Sequence, residues 1–274
     1  MGFFDKIFKG KNRPTDANKT AAKRHQEEWD FYLTNINDLP GSIMVDLGLR
    51  KIAPVNNKTH IVSVSVKMKN PNPEGLSTEE ELNSLGDIED RLVDFMTEAR
   101  KAIFAGRTTS NGSRDFYFYV GDTMLIDKTI SEAMVAFPGY EYDFGTNEDT
   151  DWKCYLDFLY PLPSQMQSIQ NRRVINSLEK NGDPLTKERQ VDHWLFFKTE
   201  TGRDLFLSKI AEEGFNIVTN NYDKDLGDTP YRLQISRIDK VDYNSIDDYV
   251  IMLWKLAAKC DGEYDGWETS VEKQ

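Results

Sequence analysis

Cys260-Asp261-Gly262-Glu263-Tyr264-Asp265-Gly266-Trp267-Glu268 sets two aromatic rings, two glycines and four carboxylates within nine residues. It directly follows an amphipathic stretch opened by Ser245 and Asp248, whose stripe is Ile246, Tyr249, Val250, Leu253, Leu256 and Ala257. Spacings of three and four put that stripe on one face of a helix. Rings beside a helix end can pack back onto it, while carboxylates stay in water. The segment therefore reads as rings inside and carboxylates outside, on the working surface of a small C-terminal domain.

Working back from it, 230–238 and 215–221 read as strands separated by an acidic turn that ends in Pro230. Gly214 stops a helix that begins after Gly202 and runs through Leu205, Phe206, Lys209 and Ile210. Residues 190–198 alternate, with Val191, His193, Leu195 and Phe197 opposite Asp192, Trp194 and Phe196. Residues 166–181 are helical and stop at Asn181-Gly182. Helix, strand, helix, strand, strand, helix is a two-layer order, with helices covering one face of an antiparallel or mixed sheet. Pro161-Leu162-Pro163 marks the boundary upstream, because proline lacks an amide hydrogen and restricts its predecessor.

The first half has the same character. Strands are predicted from Trp29, Phe31 and Leu33, across 42–49, and across 60–67. Thr78 with Glu81 reads as a capping box for a helix with the stripe Leu82, Leu85, Ile88, Leu92, Phe95, Met96 and Ala99. Its other face is acidic, with Asp87, Glu89, Asp90, Asp94 and Glu98. Strands near 101–108 and 113–120 flank the tight-turn pair Asn111-Gly112. A shorter helix is predicted near 125–136, an extended stretch at 140–146, and a helical turn from Trp152 to Leu159.

The 274 residues carry a formal charge of −12, but 1–25 hold seven Lys and Arg against two Asp and Glu. The folded part is thus acidic and only a short leader is basic, which argues against direct binding of nucleic acid by the domains. In the leader, Phe3, Phe4, Ile7 and Phe8 share a face, and 9–24 read as a tether. No apolar run approaches the length of a membrane span. Two distant cysteines, Cys154 and Cys260, without metal spacing suit a reducing, cytoplasmic setting.

Candidate chemistry is sparse. Asp261, Glu263, Asp265, Gly266 and Glu272 fall at positions 1, 3, 5, 6 and 12 of an EF-hand loop, but Glu268 stands where that loop packs an apolar residue. Glu263, Asp265 and Glu268 beside Trp267 form the best carboxylate group for a hydrolase, with His193 as the one histidine inside an element. Asp192 and His193 leave opposite faces of their strand, so Asp192 cannot orient His193. No phosphate-binding glycine loop is present, and no cofactor or metal is expected. Aromatics among acids also suit protein recognition, where rings anchor and a charged rim steers.

Arg189-Gln-Val-Asp-His-Trp-Leu-Phe-Phe197, Gly214-Phe215 and Gly262-Glu-Tyr-Asp-Gly-Trp-Glu-Thr269 resemble the regulator of ribonuclease E activity B family over about 168–272. The resemblance implies a small ferredoxin-like α/β sandwich that binds an endoribonuclease and restrains RNA decay. Glu28-Trp29, Gly75-Leu76, Glu79-Glu80-Glu81, Arg107-Thr108 and Trp152-x-x-Tyr155-x-x-Phe158-Leu-Tyr-Pro161 resemble the uncharacterised bacterial family DUF695, often fused to such a module. The expectation is an α+β chain of two domains, 26–163 and 168–274, behind the leader at 1–25, each a mostly antiparallel or mixed sheet covered by helices. The expected activity is non-enzymatic binding of a basic protein surface, an endoribonuclease being the implied partner. Asp192, His193, Trp194, Glu263, Tyr264, Asp265, Gly266, Trp267 and Glu268 are its candidate contacts. A hydrolase and a purely accessory interaction module are the alternatives, and the oligomeric state is left open.

Overall fold

The computed structural model describes residues 25–273, so the leader with its Phe3, Phe4, Ile7 and Phe8 face lies outside the described residues. The described chain divides into two compact units, 25–165 and 166–273. Both are α+β, each built on its own antiparallel sheet.

The first unit contains β1 (Trp29–Ile36), β2 (Leu39–Asp46), β3 (His60–Lys67), α1 (Glu79–Arg100), β4 (Ile103–Ser110), β5 (Ser113–Val120), α2 (Ile126–Met134) and β6 (Tyr142–Glu148). The sheet order is β1-β2-β4-β5-β3-β6, antiparallel throughout. Because side chains alternate along a strand, Phe116, Phe118 and Val120 join Val62, Val64 and Val66 on one face. Ile88, Leu92 and Met96 of α1 and Ile126 and Ile130 of α2 close over them as the core. The other face holds Tyr119, whose ring stacks on Trp152 at 3.9 Å. Its hydroxyl donates to Asp149 Oδ2 at 2.6 Å and accepts from the Tyr155 amide at 3.0 Å. Asp149 also accepts from the Lys153 and Cys154 amides, which starts a short π-helical turn over Cys154–Leu159.

Local chemistry moves some predicted boundaries. Asn37 and Asp38 adopt left-handed φ of 50° and 64° and close a two-residue hairpin, so the second strand runs 39–46 rather than 42–49. Asp46 then caps the 3-10 turn Leu47–Lys51 by accepting from the Gly48 amide at 2.9 Å. Thr78 does stand at the N-cap of α1, but the reciprocal side-chain box does not form. Glu81 instead accepts from the Lys69 and Asn70 amides at 2.7 and 2.8 Å, satisfying the loop ahead of the helix. The Asn111-Gly112 turn forms where predicted, with φ of 51° and 75°.

The second unit contains α3 (Pro163–Lys180, from residue 166), β7 (Arg189–Phe197), α4 (Glu200–Lys209), β8 (Asn216–Tyr222), β9 (Tyr231–Asp239), α5 (Ser245–Lys259) and β10 (Gly262–Thr269). Its sheet order is β10-β7-β9-β8, antiparallel between neighbours. From β7 onward this is a βαββαβ chain with its last strand beside its first, the ferredoxin-like arrangement. Leu195, Phe197, Leu233 and Ile235 of the sheet pack on Phe206 of α4 and Leu253 and Ala257 of α5. Ile175 and Leu178 of α3 extend that layer against Val191, Ile246, Val250 and Trp267. The start of α5 is held by Asp242, which accepts from the Asn244 and Ser245 amides at 2.9 Å, and not by Ser245 with Asp248. The largest departure is β10. Residues 262–269 are a full edge strand on β7, a stretch to which the sequence reading assigns no element.

Candidate protein-binding face

The strand β10 takes its place because its two rings belong to the helix-covered side. Tyr264 lies opposite Leu195 and Trp267 opposite His193 in the ladder. Trp267 is only 2% exposed, and its indole Nε1 donates to Asn171 Oδ1 on α3 at 2.9 Å. The Tyr264 hydroxyl and His193 Nδ1 are hydrogen-bonded at 2.8 Å. Between them the ladder carries a bulge, with Asp265 as the extra residue and Gly266 at φ 144°, a conformation side chains rarely adopt. The bulge lets Tyr264 and Trp267, three residues apart, face the same side.

The carboxylates go the other way. Glu263 stands opposite Phe196 and Glu268 opposite Asp192, on the face away from the helices. Trp194 and Phe196, both half-buried, lie along the middle of that face, with Gln234 and Arg232 beside them on β9. Asp192 accepts from Gln190 Nε2 at 2.9 Å and from Gln234 Nε2 at 3.2 Å, so its carboxylate is held in the sheet surface. Burial and the neighbouring Glu263 charge push the Asp265 carboxyl above its ordinary range, against the pull of Arg232.

Of the nine candidate contacts, Asp192, Trp194, Glu263 and Glu268 thus share the open face, with Asp265 and Gly266 at the bulge beside them. His193, Tyr264 and Trp267 lie on the covered side and hold the strand in place. His193 is fully buried, enclosed edge-on by the Phe215 and Tyr249 rings. Burial, reinforced by the Arg237 charge, pushes its imidazole down to about 3, so it is neutral at ordinary pH. His193 and Glu263 leave opposite faces of the sheet, so the two do not converge on one reacting atom. The EF-hand register is an extended strand here, and its ligand positions do not wrap a centre. Among the described residues no group of three or more His, Cys, Asp or Glu is placed to hold a metal ion.

Sequence reasoning missed one feature of the first unit. A cleft of about 600 Å³ joins Trp29 and Phe104, whose rings are 5.2 Å apart, to Glu89, Asp90 and Asp94 on α1. The acidic helix face was legible, but nothing in the spacing joined it to Trp29. Two strands and a helix distant in sequence bring them together.

Comparison with known proteins divides the chain in the same order as the motifs. Residues 27–160 match the family of unknown function DUF695, and residues 168–269 match the family described as Regulator of ribonuclease activity B. No curated protein matches the chain. Among solved structures, the chain is similar to that of an unknown protein from Galdieria sulphuraria, at 12% identity, covering 78% of this chain and 99% of that one, with a TM-score of 0.22. It is also similar to one titled as a glycine cleavage system transcriptional repressor, at 9% identity over 77% of this chain and 98% of that one, again with a TM-score of 0.22. Scores this low carry no argument about the fold. Among the described residues no helix is long and apolar enough to cross a membrane.

Proposed function

We propose, from the premise that residues 168–269 match the regulators of ribonuclease activity, that this chain is a non-enzymatic regulator. In this reading the open face of its second sheet docks on a basic surface of an endoribonuclease. The observation that carries the reading is the division of labour along β10. Its rings are spent on the interior, and its carboxylates are presented outward beside Trp194 and Phe196. Aromatic side chains set among charges supply the anchor and rim of a recognition surface. Four carboxylates against Arg232 give that rim a negative sign, which steers a basic partner. A charge-steered encounter weakens with salt, since exposed charges are screened over about 8 Å at physiological ionic strength. The unit 26–163 is, on this proposal, a second domain fused to the regulator, and the whole acts in a reducing cytoplasm.

The test is affinity capture with the full chain and with a Glu263→Lys/Glu268→Lys double variant, at two salt concentrations. The reading expects a ribonuclease or ribonuclease-bound complex on the wild-type chain, released by salt, and capture lowered roughly tenfold or more by charge reversal. Wild-type capture that contains no ribonuclease, or that charge reversal leaves unchanged, sinks it.

A further inference from the structure

The opposite edge of the same sheet is β8, and all seven of its residues are exposed, including Ile217, Val218 and Tyr222. An edge strand presents a row of unpaired amides and carbonyls that another strand can complete. Folded proteins usually defend such edges with charge, and three of the four sheet edges here do so. β10 carries Glu263, Asp265 and Glu268 along with its bulge, β1 carries Asp30, and β6 carries Asp143 and Glu148. β8, reading Asn-Ile-Val-Thr-Asn-Asn-Tyr, has no charged side chain, whereas each of the nine other described strands has at least one. Its only defence is a bulge at Val218.

We propose that β8 is an association edge whose occupant is β8 of a second copy of this chain, joining two four-stranded sheets into one across a two-fold axis. The charge pattern selects this occupant. The chain carries a formal −12, so two copies repel across most of their surfaces. An antiparallel register centred on Thr219 matches Asn216 with Tyr222, Ile217 with Asn221 and Val218 with Asn220, neutral against neutral throughout. A two-fold interface requires this self-complementarity. A foreign strand would need a charge or side-chain pocket on β8 to select it, and the strand offers neither. The seam is about 23 Å long at roughly 3.3 Å per residue. It buries less than the ~1,000 Å² typical of permanent pairs, so the association depends on concentration. The proposal is independent of the ribonuclease reading, which uses the sheet face and not this edge.

Sedimentation velocity on the full chain, from about 1 to about 300 μM, reads it directly. The expected result is a mass that rises from the 31.6 kDa of one chain toward twice that value. Thr219→Lys sets two positive charges on the axis and is expected to weaken the association by about tenfold or more. Its folding is checked by near-UV circular dichroism. Thr219→Cys is expected to give a covalent dimer on mild oxidation, because the proposed register sets residue 219 of the two copies directly opposite each other. A chain that stays monomeric across the range overturns the proposal. So does a Thr219→Lys variant that associates like wild type, or a Thr219→Cys variant that yields no covalent dimer.

Discussion

Trp267 donates its indole N–H to Asn171 Oδ1 at 2.9 Å, and this bond fastens the outer strand of the second sheet to helix α3. Asn171 is fully buried, accepts from Gln167 Nε2 at 3.2 Å, and donates its own amide to Asp247 Oδ1 at 2.7 Å. One side chain thereby ties β10, α3 and the first turn of α5 together.

Removing the indole N–H should therefore cost stability and leave recognition alone. Trp267→Phe keeps most of the ring and deprives Asn171 of one donor, an expected loss of about 1–3 kcal/mol. Trp267→Ala also opens a cavity and is expected to cost about 3–5 kcal/mol. Urea unfolding of the two variants measures both values. Partner capture, corrected for folded fraction, should match wild type for Trp267→Phe.

His193 should make the second unit sensitive to mild acid. Its folded value, about 3, lies below the 6.5 of a free imidazole, so in that window the unfolded chain binds the extra proton. The stability it contributes is fully present above about 6.5 and is lost as pH falls toward 3, at up to about 1.4 kcal/mol per pH unit. His193→Gln keeps a polar group near the Tyr264 hydroxyl and cannot titrate. Unfolding free energy measured between pH 7 and pH 4 should fall less steeply for His193→Gln than for wild type.

The buried pair of Asp183 and Arg189 makes a second acid-sensitive point. Asp183 accepts two bonds from Arg189 and further bonds from the Glu272 and Leu185 amides, while Arg189 also donates to the Ser270 carbonyl. The Arg189 hydrogen bond is the main cause that holds the Asp183 carboxyl down to about 2. Its stabilisation is present above the ordinary carboxylate value and lost as pH falls through about 2. Asp183→Asn leaves the guanidinium buried without its counter-charge, an expected cost of about 3–5 kcal/mol. Hydrogen exchange should show the loss first in β10 amides and in the start of β7.

Tyr119 plays the corresponding part in the first unit. Tyr119→Phe keeps the stack on Trp152 but removes the donor to Asp149 and the acceptor of the Tyr155 amide. The expected cost is about 1–3 kcal/mol, with the turn at Cys154–Leu159 opening first. Thermal unfolding of the variant, with exchange at the Tyr155 amide, checks it.

Much of this architecture was legible because alternation and helical stripes are direct records of burial. Val62, Val64 and Val66 announced their strand, and Ile246 through Ala257 announced their helix, since each pattern survives without knowledge of the neighbour. The strand at 262–269 was hidden for the opposite reason. Glycine and carboxylates are poor strand formers, and the bulge at Asp265 breaks the alternation that would have revealed it. Its rings read both as interior and as candidate contacts, and what they pack on, Asn171 and His193, comes from elements distant in the chain. The cap at Thr78 is placed correctly, but its expected partner Glu81 binds the Lys69 and Asn70 amides, and α5 opens on Asp242 rather than on Ser245 with Asp248, contacts that spacing rules do not see.

The topology of the second sheet also sets an order of assembly on the ribosome. β7 is the first strand of its unit to emerge and β10 is made after every other element of that unit, yet the two are neighbours. Until synthesis passes Thr269, one flank of β7 has no companion, and Asn171 waits for its indole. A product terminated after α5 would keep nearly all of the residues of this unit while exposing Leu195 and Val191 along an open seam. Such a fragment would leave β7 as an unpaired edge over an apolar layer, the kind of surface that invites pairing with another chain, so the last strand of the unit is the one that closes it.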